Sequence, residues 1–387
     1  MATGCGGAWP CMATAMPRQQ SGTAHRCQHV RMTLTDAARS VTARLGLELP
    51  LIQAPMAGVQ GGAMAAAVSG AGALGSLPGA AMSPQALRDA VGEMRRDGGL
   101  PVNLNFFCHA PPVADPAREA AWRDALRPYY DELGVSPSAI QNGPGRLPFS
   151  DEAAAVVEEL RPAVVSFHFG LPPAPLLERV RRAGAQVWSS ATTVAEARWL
   201  AAHGVDAIIA QGIEAGGHRG VFLPEGGPVD LSGQLRTAAL LTAILEAVRV
   251  PVIAAGGIVD ADGVAAALRL GASAVQSGTA FLLCPEATTS AVHRAALQSE
   301  AARTTALTNL FTGRPARGIV NRLMRDLGAI SELAPAFPTA VNALAPLRAA
   351  AEQAGRGDFS PLWSGTDVSG CRAVPAAQLV KELAARL

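Results

Sequence analysis

Eight short, largely apolar runs, separated by glycine-containing breaks and Ala/Leu/Arg-rich segments, constrain this chain more than any other feature. They are LPLIQAPM (49–56), AGALGSL (71–77), LPVNLNFF (100–107), AVVSFHFG (163–170), AQVWSS (185–190), DAIIAQG (206–212), VPVIAAGG (250–257) and ASAVQSGTAFL (272–282). Near-continuous apolar runs belong to strands covered on both faces, which is the condition of a parallel sheet. The segments between them, such as SPQALRDAVGEMRR (83–96), PLLERVRRAG (175–184), TVAEARWLAAHG (193–204) and DADGVAAALRLG (260–271), carry a helical pattern. Strand followed by helix, eight times over, predicts an α/β fold closed into a (β/α)8 barrel. A doubly wound open sheet is the alternative. It is disfavoured because no GxGxxG follows the first strand, where QAPMAGVQGGAM (53–64) spaces its glycines differently.

Two stretches interrupt the rhythm. Residues 108–162 leave the C-terminal end of the third strand with two helix-like segments, WRDALRPYYDEL (122–133) and DEAAAVVEEL (151–160); they are expected to form a helical lid over the barrel mouth. The predicted organisation is therefore a barrel over 36–310 containing this insertion, and a C-terminal helical extension over 311–387 packed on it, with no second core of independent size. Residues 1–35 hold three arginines, three cysteines and no acidic residue, and are expected to be disordered. They read either as an extended reading frame with its start near Met32 or as an Arg-rich, acid-poor transit peptide.

Charge and cysteine content narrow the functional classes. With 32 basic and 31 acidic residues spread along 387, no electrostatic stripe invites nucleic acid or an anionic membrane surface. The six cysteines form no CxxC or Cys/His cluster, which predicts no metal site and a reducing, cytoplasmic compartment. No apolar run approaches the roughly 18 residues that a membrane span needs. Nothing in the pattern marks an oligomer interface.

In a barrel of this kind, chemistry gathers at the C-terminal ends of the strands, and phosphate is held by the loops after strands seven and eight. After the seventh run, Gly256 and Gly257 can bring backbone amides to an anion while Asp260 caps the next helix; after the eighth, Gly278 and Thr279 offer a further amide and a hydroxyl. Two such turns on adjacent strands suit one phosphate monoester, unless the glycines serve only as tight turns. His218, in QGIEAGGHRG (211–220), follows the sixth strand and is flanked by Gly216, Gly217 and Gly220. An imidazole there can take a carbon-bound proton near neutral pH; otherwise it is a solvated loop side chain. Glu214 either orients it or solvates the loop. Strand alternation turns His168 away from Phe167 and Phe169, so that it binds substrate oxygens or makes a satisfied core hydrogen bond. His109 and His203 read as structural.

The motifs LIQAPMAG, VNLNFF, VVSFHFG, VDAIIAQGIEAGGHRG, PVIAAGGI and GASAVQSGTAFL, in this order, resemble the nitronate monooxygenases, formerly called 2-nitropropane dioxygenases, in the group labelled class I. The resemblance runs from about residue 45 to the C-terminus. It implies FMN at the barrel mouth, His218 as the catalytic residue acting at the substrate α-carbon, and His168 lining the substrate pocket. The implied flavin contacts are Met56, Asn103, Gln211, Gly216, Gly257, Gln276, Ser277, Gly278 and Thr279, with Gly217 and Gly256 in the same turns. Met56 is equally readable as an ordinary core methionine. The implied reaction turns a nitronate, or a nitroalkane, and O2 into a carbonyl compound and nitrite. Competing readings are an FMN-dependent NAD(P)H:quinone or enoyl-thioester reductase, a flavin-free phosphate-sugar isomerase or synthase, and a non-catalytic flavin-binding protein. One departure stands out: relatives line the pocket with several tyrosines and a lysine, whereas this chain has only Tyr129, Tyr130 and Lys381.

Overall fold

The computed structural model describes residues 33–96, 98–141, 143, 145–223, 229 and 231–387; the expectation for residues 1–35 lies almost wholly outside them. All eight apolar runs form strands of one parallel sheet: β1 (Leu51–Gln53), β2 (Gly75–Leu77), β3 (Val102–Phe107), β4 (Val164–His168), β5 (Gln186–Ala191), β6 (Ala207–Gln211), β8 (Val252–Ala255) and β9 (Ala274–Ser277). Between β6 and β8 lies a two-residue strand, β7 (Gly217–His218), which belongs elsewhere. The sheet order is β1-β9-β8-β6-β5-β4-β3-β2. A parallel bridge between Ile52 and Leu74 closes the ring, with Gln53 N–H donating to Leu74 O at 3.0 Å and Leu74 N–H to Leu51 O at 2.9 Å. Closure leaves the eight-stranded sheet of the described residues without an unpaired edge.

The period of two along each strand separates two apolar layers. One set of side chains, including Leu104, Val165, Val187, Ile208, Val252 and Val275, faces the surrounding helices. The other set fills the barrel, where Ile52, Leu74, Val164, Trp188, Ile209 and Ile253 pack together. Helix α1 (Asp36–Leu45) adds Val41 and Leu45 to that interior cluster. Its start is set by Thr35, whose hydroxyl accepts from Ala38 N–H, and its end by Gly46 in the left-handed conformation.

The outer ring contains α2 (Gly62–Gly70), α3 (Pro84–Arg96), α5 (Asp151–Leu160), α6 (Ala174–Arg182), α7 (Val194–Ala202), α8 (Thr237–Ala247) and α9 (Ala261–Arg269). The ring is completed by α13 (Ala376–Leu383), which packs against α2 and α9. Two expectations are corrected here. The insertion after β3 ends earlier than 162, because α5 packs between α3 and α6 as a barrel helix. The tail is more than an extension on the barrel, because its last helix buries Ala376, Leu379, Val380 and Leu383 in the main core.

What remains of the two insertions packs together. Helix α4 (Pro116–Leu133) lies on α12 (Val341–Gln353), and α11 (Arg322–Leu327) joins them. Trp122, Leu126, Tyr129 and Tyr130 meet Leu310, Phe311, Leu323, Leu344, Leu347 and Phe359 in a smaller second apolar cluster. Its polar tips are satisfied: Trp122 Nε1–H donates to Ala340 O at 3.2 Å, and the Tyr130 hydroxyl to Ala343 O at 2.6 Å. Arg322 forks onto Glu132 at 2.8 and 2.7 Å. No helix among the described residues is long and apolar enough to cross a membrane.

Leu379→Ala tests the role of α13. Leu379 is 1% exposed, and truncating a buried leucine costs about 2–5 kcal/mol. Thermal unfolding followed by circular dichroism is expected to show a lowered midpoint, larger than the shift for an exposed position such as Leu333→Ala.

Candidate active site

Inward-facing residues near the C-terminal ends of the strands reach one rim. Asn105 of β3, His168 of β4, Gln211 of β6, Ala255 of β8 and Gln276 of β9 all line a single cavity there, together with Ser190 of β5. Met56, Gly216, Gly217, His218, Gly256, Gly257, Ser277, Gly278 and Thr279 line the same cavity. Of the residues expected at the site, Asn103 alone is absent from its wall. It lies one inward step below Asn105, fully buried, and its amide donates to Ser76 Oγ at 3.0 Å. The same layer holds Gln53 and Gln60 in a buried polar knot, with Ser76 N–H donating to Gln53 Oε1. Asn103 is thus held just below the cavity wall with its Oδ1 buried and without a partner, while Asn105, two residues nearer the rim, lines the wall.

The glycine turns are built for close approach. Gly256 and Gly257 have φ of +117° and +66°, and a Cβ on Gly256 would stand 2.9 Å from Ala215 N and Thr237 Oγ1. A Cβ on Gly278 would meet Ala54 at 3.3 Å and Met56 Sδ at 3.5 Å. Among the described residues, the amides of Gly256, Gly257 and Gly278 donate to no main-chain carbonyl. Asp260 caps α9 as expected, accepting from Gly263 N–H at 2.7 Å. The hydroxyls of the neighbouring turn are engaged within the protein, Ser277 donating to Ile258 O at 2.8 Å and Thr279 accepting from Gly365 N–H at 2.9 Å. Gln276 Oε1, by contrast, is buried without a partner, and such an atom carries a desolvation cost until a donor meets it.

His218 sits in β7, which pairs antiparallel with β11 (Ala316–Ile319), itself paired with β10 (Thr305–Thr308). The C-terminal segment thus clamps the histidine loop, with Arg219 N–H donating to Pro315 O at 2.8 Å. Gly216 permits the clamp, since a Cβ there would lie 2.6 Å from Gly365 N. From below, Gln211 Nε2 donates to His218 O at 2.9 Å and Gln211 Oε1 accepts from Gly220 N–H at 2.8 Å. Arg219, 1% exposed, donates to the carbonyls of Gly212 and Gln211 and to Gln234. Glu214 neither orients His218 nor solvates the loop. Its carboxylate accepts from Thr237 N–H and Oγ1 at 2.8 and 3.0 Å and pairs with Arg236 at 3.0 Å, fastening the start of α8.

His168 takes the structural alternative. Its Nδ1 is 3.0 Å from Ser190 Oγ and its Nε2 3.1 Å from His218 O, so both ring nitrogens are engaged by the protein while the ring borders the cavity. The expected alternation also ends at Phe169, whose φ of +69° turns the chain. Phe169 leaves the outer layer occupied by Phe167 and joins Phe107 and Phe337 in a separate aromatic group. That group contacts the His218 ring, with centroids at 6.0 Å for both Phe107 and Phe169 and 5.4 Å for Phe337. Trp363 adds a tilted contact at 5.7 Å.

Burial holds the His218 pKa well below the ordinary histidine range, assisted by the positive charge of Arg146 and by His168, Arg314 and His109. Its Nε2 lies 2.9 Å from Thr312 Oγ1. Arg146, Thr312 and Trp363 had no signature in the sequence. Burial likewise lowers His109, His168 and His293 to about 4. His203, read as structural, caps α7 and stacks on Trp199 at 3.7 Å.

A closed barrel that gathers a glycine cradle, an unpaired glutamine oxygen and a desolvated imidazole at one rim defines a barrel enzyme whose chemistry is done at the strand C-termini. The chain belongs to the nitronate monooxygenase family, whose model matches residues 39–386, and is accordingly an oxidoreductase. It is 44% identical to a nitronate monooxygenase of Pseudomonas aeruginosa over 356 residues, covering 89% of this chain and 98% of that protein. It is also 44% identical to a nitronate monooxygenase of Paraburkholderia phytofirmans over 355 residues, covering 91% and 96%. The crystal structure of a nitroalkane oxidase from Streptomyces ansochromogenes superposes with a TM-score of 0.80 at 38% identity, covering 90% of this chain and 97% of that one.

The buried histidines predict a pH dependence of stability. Their folded pKa values lie below the unfolded value of about 6.5, so the unfolded chain binds more protons as pH falls below that value, and stability decreases with falling pH. Urea denaturation between pH 7 and pH 4 is expected to show the unfolding free energy falling through this window. The His293→Gln variant, removing one such group at about 4, is expected to show a shallower slope.

Proposed function

We propose that the protein is an FMN-dependent nitronate monooxygenase that converts alkyl nitronates, and nitroalkanes deprotonated in the site, to carbonyl compounds and nitrite with O2. The observation that carries this reading is a desolvated, neutral imidazole, His218, in the same cavity as the glycine cradle. The residues fit the cofactor. The amides of Gly256, Gly257 and Gly278 suit its phosphate, and the unpaired Gln276 Oε1 is an acceptor for a ring N–H. Asn105 and Met56 border the same space. Bound there, the flavin would supply the electron exchange between nitronate and dioxygen.

The protein groups supply the proton chemistry. Thr312 Oγ1 contacts His218 Nε2 at 2.9 Å and can donate onward to Arg314 O at 3.4 Å, so it accepts a hydrogen bond from Nε2–H and leaves Nδ1 as the basic nitrogen. Low pKa keeps this nitrogen unprotonated at neutral pH, ready to take the α-hydrogen of a nitroalkane. The neighbouring cation of Arg146 favours the nitronate anion that results. His168 and Gln211 hold the His218 carbonyl and so fix the ring's approach.

The test uses the purified holoenzyme. Anaerobic mixing with propionate 3-nitronate is expected to change the flavin absorbance while NADH does not; rapid bleaching by NADH would instead support the reductase alternative. His218→Asn is expected to retain FMN and oxidation of preformed nitronates but to lose at least 100-fold in kcat/KM on neutral nitroethane, the lower end of what a general base contributes, about 10²–10⁴-fold. Undiminished nitrite release from nitroethane would remove His218 from the role of base.

A further inference from the structure

A second cavity, of about 860 Å³, adjoins the first and shares Arg146, His218 and Trp363 with it. Its walls are mostly apolar, with Met82 and Leu87 on one side, Val341, Leu344 and Ala345 of α12 on another, and Phe337 near the histidine. Its lining also holds charged groups, with Arg348 and Glu352 of α12 paired at 2.8 Å and Glu152 contributing a carboxylate. The volume lies within the range of small-molecule pockets, about 300–1,000 Å³, and exceeds what a two- or three-carbon nitronate can fill.

Arg146 stands at the junction. Its guanidinium lies over the Phe107 ring at 5.9 Å, and among the described residues it makes no ion pair with a carboxylate. A planar guanidinium matches the two oxygens of a nitronate as it matches those of a carboxylate, through parallel N–H donors. An unpaired arginine beside the proposed base thus sets the head of the substrate, and the apolar cavity beyond it sets the tail.

Resting on the monooxygenase reading, we infer that the preferred substrates are nitronates with an extended apolar chain, their nitronate oxygens on Arg146 and their chain in the cavity against α12. Alanine at positions 345 and 349 keeps this side of α12 open, both residues being exposed to the cavity.

Nitrite release by the FMN-loaded protein is measured with ethyl, butyl, hexyl and octyl nitronate. The expected result is a rise of at least tenfold in kcat/KM from ethyl to hexyl. In Ala345→Trp, and independently in Ala349→Trp, the hexyl-to-ethyl ratio falls at least fivefold, with flavin content reporting that each variant is folded. Arg146→Met raises KM for every member at least tenfold with a smaller change in kcat, and Arg146→Lys recovers part of the loss. A flat series, or an unchanged ratio in both tryptophan variants, overturns the chain assignment; an unchanged KM in Arg146→Met overturns the head assignment. No nitrite from any member overturns the monooxygenase reading itself and this inference with it.

Discussion

Everything at the active rim depends on the closure of the sheet between β1 and β2. Those short strands meet through Gln53 N–H to Leu74 O and Leu74 N–H to Leu51 O, and without them the parallel strands would end in an open edge rather than a ring. Because all eight strands run the same way, closure brings their C-terminal ends to one face. The strand period of two then selects which side chains point inward there, and Asn105, His168, Gln211 and Gln276 arrive from four strands at a common cavity. Register sets depth, since Asn103 has the same orientation as Asn105 and lies one inward step below it, bonded to Ser76.

The barrel positions this ring of residues but does not by itself make His218 reactive. The loop that carries it is held from below by Gln211, His168 and Arg219 and from above by β11. Close packing at Gly216 and Gly220 lets the two sides meet; a Cβ on Gly220 would stand 2.9 Å from His168 Cε1. The aromatic group of Phe107, Phe169 and Phe337 excludes water from the imidazole, and exclusion of water is the first cause of its lowered pKa. Position and protonation state are therefore set jointly by the barrel strands, which supply Gln211, His168 and Phe107, and by the C-terminal segment, which supplies β11 and Phe337.

The two interruptions of the barrel share one physical logic. Neither could bury its apolar face alone, and each finds its partner in the other, so that Trp122, Tyr129 and Tyr130 of α4 pack with Leu344, Leu347 and Phe359. The two tyrosines of the chain serve that core, with Tyr130 bonded to Ala343 O and Tyr129 to Asp326. The interrupted segments then return α5 and α13 to the outer ring, which ties the second core to the stability of the barrel.

The strands, the closed fold, the glycine turns, Asp260 as a cap and His218 as a cavity residue were legible from the sequence, because each rests on local pattern: apolar runs, glycine at strand ends, and spacing from the last strand residue. The partners of Glu214, the engagement of both His168 nitrogens, the turn at Phe169 and the depth of Asn103 were not, because each depends on a distant residue or a backbone angle with no local signature. Arg146 and Trp363 lie 72 and 145 positions from His218 in the chain, and no periodicity links them. By itself the sequence determined that parallel strands would close and bring a glycine-flanked histidine to their carboxyl ends. Only the tertiary structure decided that this histidine is desolvated and neutral, because the low dielectric that lowers its pKa is assembled from segments that meet through packing alone.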